Sequence, residues 1–430
     1  MQAVVYQGER PSFNGDVDLW LHIGENLRTG ETEFRTQFGE ITSLERDMLV
    51  VASAVLAADV AAKRGMRVDI NRDMRMTIPV VNIHAFTAQG TLLQRILHKL
   101  SDDRWDITFV RAPGEQESIL PWPARSGKTL LFSGGLDSLA AAIMLLDENG
   151  AGNVQLVSHR TGNTLTISTQ NSLYEYLQQH YGADIPRISV KTGGKDTDED
   201  KYPTDTLEVS QRTRSFLFLT IAAVAARRRG MSEIVMIAEN GQMAIHVPLS
   251  SARIGAFSTH TAHPDFVSKV ATFFSAIMDY EIVIQNPFQY QTKAEVVAEL
   301  AVNHQLALPR SMSCWKGHRV GGHCGFCIPC LIRRIALEHH GLNVDTWRRD
   351  IFAENVGALP YTDEGKRNIS ELAQFVQDFN IMSDAEIDLE HCEVNNSFFD
   401  RDQAVAMYRR FSDEAIAVFE NYPSLSHLLE

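Results

Sequence analysis

The chain has 430 residues, 44% of them hydrophobic and 22% charged, a globular composition with apolar material for more than one core. Fifty-four acidic residues against 40 basic ones leave a formal charge of −14, which excludes a broad basic surface able to neutralise a phosphate backbone, so bulk nucleic-acid binding is not expected. No basic stretch followed by an apolar one opens the chain, and the longest apolar runs, such as residues 216–226, are too short to span a bilayer, so a cytoplasmic location without membrane contact is the expectation.

Residues 1–111 read as an α+β unit. Thr42 and Glu45 form a capping box ahead of an apolar helix that should stop near Gly65. Strand-like runs at 67–73 and 76–82 follow, then a helix over 91–100 and a strand over 105–111. Residues 112–127 read as a linker, because Pro113, Gly114, Pro121, Pro123 and Gly127 crowd into it and neither a helix nor a sheet interior tolerates that density of breakers. Over 128–305 the pattern becomes strand, loop, helix, repeatedly, with strand candidates at 129–132, 154–159, 188–191, 233–238 and 281–284. That alternation predicts a parallel sheet covered on both faces, with ligands at the carboxyl ends of its strands. Residues 306–342 form a cysteine module, and 343–430 read as a helical tail.

Two motifs carry chemistry. Ser133-Gly134-Gly135-Leu136-Asp137-Ser138 lies between a short apolar strand and an apolar helix beginning near Leu139. A helix N-terminus offers unpaired N–H groups and partial positive charge, the glycines allow close backbone approach and the serines add hydroxyls, which together suit a pyrophosphate. The spacing is neither the Walker nor the dinucleotide fingerprint; the plain alternative is a glycine-rich strand-to-helix turn. The second motif is Cys314-x9-Cys324-x2-Cys327-x2-Cys330, four of the five cysteines. In a reducing compartment it predicts a structural zinc on four thiolates. Iron–sulfur clusters use the same ligands, but nothing in the sequence points to redox chemistry. Cys392 reads as a spectator, and His318 and His323 as surface or substrate-facing. Arg227-Arg228-Arg229 complements a helix C-terminus.

The string Ser133 to Ser138 resembles the SGGxDS signature of PP-loop ATP pyrophosphatases. By that resemblance Ser133, Gly134, Gly135, Leu136, Asp137 and Ser138 hold the pyrophosphate of ATP, with Asp137 orienting the loop or a magnesium ion. Ser313-Cys314-Trp315, the run from His323 to Arg334, Thr292-Lys293-Ala294-Glu295 and Gln211-Arg212-Thr213-Arg214 resemble, in order, landmarks of the QueC 7-cyano-7-deazaguanine synthases. The resemblance covers residues 128–340. It implies an adenine nucleotide α-hydrolase-like domain with a zinc module, ATP, Mg2+ and Zn2+ as cofactors, and a reaction in which a carboxylate attacks the α phosphorus and an amine then displaces AMP. Such a transfer calls for cations near the leaving group, and Lys128, Arg212, Arg214 and Lys293 are the candidates beside Asp137.

The segment from Glu239 to Asp265 departs from that family, whose tyrosine-proline-aspartate-cysteine-arginine string is absent here, and the terminal regions have no counterpart in the housekeeping enzyme. The layout looks more like QueC-like proteins of anti-phage operons, the Qat system and type IV CBASS. That resemblance implies a deazaguanine-type carboxylate handed to an amine of a partner protein encoded in the same operon, with Glu239, Asn240, His260, Thr261 and His263 on the substrate side. A homo-oligomer is left open. The alternatives are a housekeeping synthase, a PP-loop enzyme acting on RNA, and a nucleotide-binding scaffold without turnover that docks partners through 1–111 and 345–430.

Overall fold

The computed structural model describes residues 1–65, 71–114, 126–160, 162–204, 207–235, 237–249 and 260–429. The amino-terminal region contributes β1 (Gln2–Tyr6), β2 (Leu19–His22), β3 (Leu27–Arg28), β4 (Asp73–Val80) and β5 (Arg104–Arg111). Four of these form a sheet in the order β2-β1-β4-β5. Every pairing in it is parallel, so this unit is α/β, which corrects the α+β expectation. The reason lies in the connections: between β4 and β5 the chain crosses over through the helices Ile83–Ala88 and Gly90–Ser101, and such a crossover returns the strand in the same direction. The capping box forms as read, with Thr42 Oγ1 accepting from Glu45 N at 3.3 Å and Glu45 Oε2 accepting from Thr42 N at 2.8 Å, at the start of the helix Ser43–Ala61. The strand expected over 67–73 falls largely on residues outside the described set, as does most of the expected linker.

The second sheet is built from β6 (Lys128–Leu131), β7 (Val154–His159), β8 (Arg187–Val190), β10 (Glu233–Val235) and β11 (Val283–Gln285), while β9 (Gly193–Gly194) pairs antiparallel with β3 and links the two units. The order is β11-β10-β6-β7-β8, parallel throughout. β6 is central; the chain adds β7 and β8 on one side and then β10 and β11 on the other, so the crevice between the carboxyl ends of β6 and β10 is the switch point where such sheets bind ligands.

The two sheets share one core. Helices Ser43–Ala61 and Gly90–Ser101 pack on helices Arg214–Arg228 and Pro264–Met278 between them, and Phe216 meets Phe273 and Phe274 there at ring distances of 5.9 and 6.1 Å. Burying each such ring contributes about 1.5–3 kcal/mol. A charged seam crosses the same boundary. Arg64 and Arg72 grip Asp103, Asp59 accepts from Thr213 N and Oγ1 at 2.9 Å each, and Arg228 donates to the carbonyls of Phe38 and Glu40 at 2.8 Å each. Arg228 thus does more than complement its helix dipole.

The opposite face of the second sheet is covered by helices Leu136–Asn149, Thr164–Tyr181 and Lys293–Asn303. The carboxyl-terminal region is helical as expected, with Glu364–Ile381 and Arg401–Phe419 packed on each other and on the helix Ile328–His339. No helix among the described residues is long and apolar enough to cross a membrane.

Candidate active site

The phosphate loop runs from the end of β6 into the helix Leu136–Asn149, whose N-cap, Gly135, supplies no side-chain cap. The first N–H groups of that helix therefore lack an internal partner, and they lie at the positive end of its dipole. Gly134 has φ +89°, and a Cβ there would stand 3.0 Å from Thr169 Cγ2, so glycine is required by conformation and by space. Ser133 Oγ lies 3.1 Å from Ser138 Oγ and accepts from Gly135 N at 3.3 Å, while Ser138 Oγ donates to Gly135 O at 3.0 Å. From behind, Met312 N donates to Gly134 O at 2.9 Å, so the chain leading into Cys314 braces the loop.

Asp137 is the junction of the site. Only 8% exposed, it accepts from Lys293 Nζ on Oδ1 at 2.6 Å and from Asn240 Nδ2 on Oδ2 at 3.0 Å. These bonds join the loop after β6, the segment after β10 and the start of the helix Lys293–Asn303. Thr292 and Glu295 form the capping box of that helix, and Thr292 Oγ1 also donates to the buried carboxylate of Glu414 at 2.6 Å. Glu239, one residue before Asn240, is half-buried; burial and then the charge of Asp137 push its pKa up to about 7, while Lys293 and Arg214 pull it down. Arg214 opens the helix Arg214–Arg228 as an exposed residue, its guanidinium 5.5 Å from the Phe218 ring. His159, at the carboxyl end of β7, lies 5.0 Å from the same ring at a tilt of 40°, and its pKa is lowered to about 4 by burial and by Arg214.

Two of the expected cations lie elsewhere. Lys128 stands at the amino end of β6, paired with Glu233, separated from the loop by the length of the strand, roughly 13 Å at about 3.3 Å per residue. Arg212 is 6% exposed and bonds Asp102 at 3.1 Å, which makes it part of the seam between the sheets. Of the residues expected on the substrate side, Asn240 is buried against Asp137 and Glu239 is half-buried next to it. His263 is the N-cap of the helix Pro264–Met278, its Nδ1 accepting from Asp265 N at 3.2 Å, so capping accounts for its presence. His260 packs at 5.4 Å from His263 and 6.4 Å from His246; burial, chiefly, lowers His260 to about 3 and His263 to about 4, so both are neutral at pH 7. Thr261 is half-buried beside them, and Ser258 and Thr259 lie outside the described residues.

The four cysteines converge. Their sulfurs all lie within 4.8 Å of one another, with Cys314 to Cys327 and Cys324 to Cys330 at 3.9 Å. A tetrahedral zinc with Zn–S of about 2.3 Å sets sulfurs about 3.8 Å apart, so the cluster fits the ion. Gly325, at φ +88°, passes so close to Arg349 O that a Cβ would lie 2.0 Å away. His323 is 7% exposed, accepting from Ser313 N at 3.4 Å, which corrects its reading as a surface or substrate-facing group. Arg333, fully buried, grips Asp345, Ser311 and the carbonyl of Leu308, a structural clamp that spacing alone did not reveal. Asn286, His159 and Glu414 were likewise missed, each being a single polar residue without a motif around it.

Residues 128–341 match the family model for the queuosine biosynthesis protein QueC, a stretch that opens with the strand feeding the phosphate loop and closes just past the helix carrying Cys330. Residues 128–341 are accordingly a QueC-like region of the ATP-using PP-loop class, with residues 1–127 and 342–430 lying outside the match.

Proposed function

We propose that this protein adenylates the carboxylate of a 7-deazaguanine-type compound and passes the acyl group to an amine, in bacterial anti-phage defence, with a protein encoded in the same operon as acceptor. The observation that carries the reading is the double engagement of Asp137 by Lys293 and Asn240, which sets the phosphate loop, the segment unlike that of the housekeeping enzymes and the lysine-bearing helix around one recess. ATP lies with its β and γ phosphates on the N–H groups of the loop. Lys293 and Arg214 draw off charge as pyrophosphate leaves the α phosphorus, and holding the two reactants in line supplies much of the acceleration. Magnesium, when bound, would screen the charge of the phosphates, and Asp137, held by Lys293 and Asn240, would keep the loop in place beside it. The cysteine cluster, when loaded with zinc, fixes the segment 312–314 that backs the loop. The terminal regions offer docking surface, and an ordinary interface needs only about 800 Å² per partner.

Co-expression with operon neighbours followed by intact mass spectrometry tests this. A partner gaining the mass of an acyl-deazaguanine is the expected result. Restoration of queuosine by this protein alone in a strain lacking its own QueC, with no partner gaining mass, would instead support the housekeeping reading.

A further inference from the structure

Glu239 stands at the carboxyl end of β10, across the switch point from the phosphate loop. Its backbone is clamped on both sides by one residue: Glu239 N donates to Asn286 Oδ1 at 3.3 Å, and Glu239 O accepts from Asn286 Nδ2 at 2.7 Å. The neighbouring Asn240 is tied to Asp137. The clamp fixes the backbone from which the carboxylate springs, and Asp137, Lys293 and Arg214 are the charged groups close enough to act on that carboxylate. Among the described residues it makes no hydrogen bond and no ion pair, whereas Lys293 is already engaged by Asp137.

The second half of the proposed reaction needs a group of this kind. When an amine attacks the acyl carbon of the adenylate, a C–N bond forms, the C–O bond to phosphate breaks, AMP leaves with the electron pair, and the nitrogen must shed a proton. Three groups around the recess could receive it. Asp137 has both oxygens bonded, to Lys293 and to Asn240. His159 has Nε2 2.8 Å from Thr192 Oγ1 and its Nδ1 buried away from any partner, and its lowered pKa makes it a weak base. Glu239 combines a carboxylate that no described group bonds, a backbone fixed by Asn286 and a place beside Asp137 and Lys293.

We propose that Glu239 is the catalytic base of amine transfer, its carboxylate taking the proton from the attacking nitrogen as the C–N bond forms. This rests on the adenylation reading above. Its pKa near 7 suits the task, because a base works best when its pKa lies close to the working pH. The transfer rate should rise with pH as the carboxylate forms and level off above pH 7.

Glu239→Gln and Glu239→Asp are compared with the wild-type chain in two assays using 7-carboxy-7-deazaguanine as probe: ATP–pyrophosphate exchange for adenylation, and single-turnover amide formation with ammonia for transfer. The expected result is that Glu239→Gln slows transfer about 100-fold, the scale of lost general-base catalysis, and loses the pH rise, while exchange falls far less. Glu239→Asp recovers part of the transfer and keeps a pH inflection. Hydroxylamine, unprotonated at neutral pH and a strong nucleophile, narrows the gap between Glu239→Gln and the wild type. Equal losses in exchange and transfer, or a pH rise that persists in Glu239→Gln, overturn the assignment and leave adenylation standing. No exchange in the wild-type chain removes both.

Discussion

Replacing Asp137 by alanine removes the negative member of a pair whose side chains are 9% and 11% exposed, Lys293 and Asp137 respectively. The ammonium of Lys293 then stays in the recess without its counter-charge, and Asn240 Nδ2 loses its acceptor. Breaking a buried pair from one side costs about 3–5 kcal/mol, and a donor left without an acceptor adds about 1–3 kcal/mol where water cannot reach it. An Asp137→Ala chain should therefore lose ATP turnover and several kcal/mol of stability together. Lys293→Met should cost a comparable amount, because Asp137 is then the unpaired charge. The double variant should cost clearly less than the sum, with a coupling of about 2–3 kcal/mol. Urea denaturation of the four chains followed by intrinsic fluorescence measures this cycle. Additivity within about 0.5 kcal/mol would refute the pairing as an energetic unit.

Metal analysis of the purified chain should give one zinc per molecule, and Cys327→Ala should lose zinc and cooperative unfolding together, since site formation and folding are coupled in such modules; a folded, metal-free variant would contradict the assignment. Tyr408→Phe removes the hydroxyl that accepts from Val247 N at 3.0 Å, so denaturation should show a loss of about 1–3 kcal/mol, together with weaker substrate binding because the segment after Asn240 rests on that helix. Lys128→Ala, by contrast, should leave turnover near wild type in a pyrophosphate-release assay and change stability by less than about 1 kcal/mol, as its pair with Glu233 is partly exposed.

What was legible in the sequence was local. The capping boxes of Thr42 with Glu45 and Thr292 with Glu295 form within four residues, the phosphate loop is a single strand-to-helix turn, and the spacing of Cys324, Cys327 and Cys330 brings three thiols together on one turn and helix start. What was not legible depends on partners far along the chain. Asp137 meets Asn240 and Lys293 across 103 and 156 residues, and Arg212 finds Asp102 across 110, which takes it out of the recess although its neighbour Arg214 enters it. Lys128 looked well placed because it precedes the loop, but strand direction puts it at the wrong end. His263 carried the composition of a ligand-binding segment, and capping is what it does. Glu414, reaching Thr292 across 122 residues, shows that the carboxyl-terminal helix supports the helix that begins at Lys293, a connection no local pattern encodes.

The central claim is that this recess activates a carboxylate with ATP. ATP–pyrophosphate exchange with 7-carboxy-7-deazaguanine, measured on the wild-type chain and on Ser133→Ala, tests it most directly. Ser133 is exposed and its hydroxyl orders the loop through Gly135 N and Ser138 Oγ, so its loss should spare the fold. The account predicts exchange that depends on the carboxylate in the wild type and a deep loss in the variant. Exchange that needs no carboxylate, or that survives undiminished in Ser133→Ala, would contradict it.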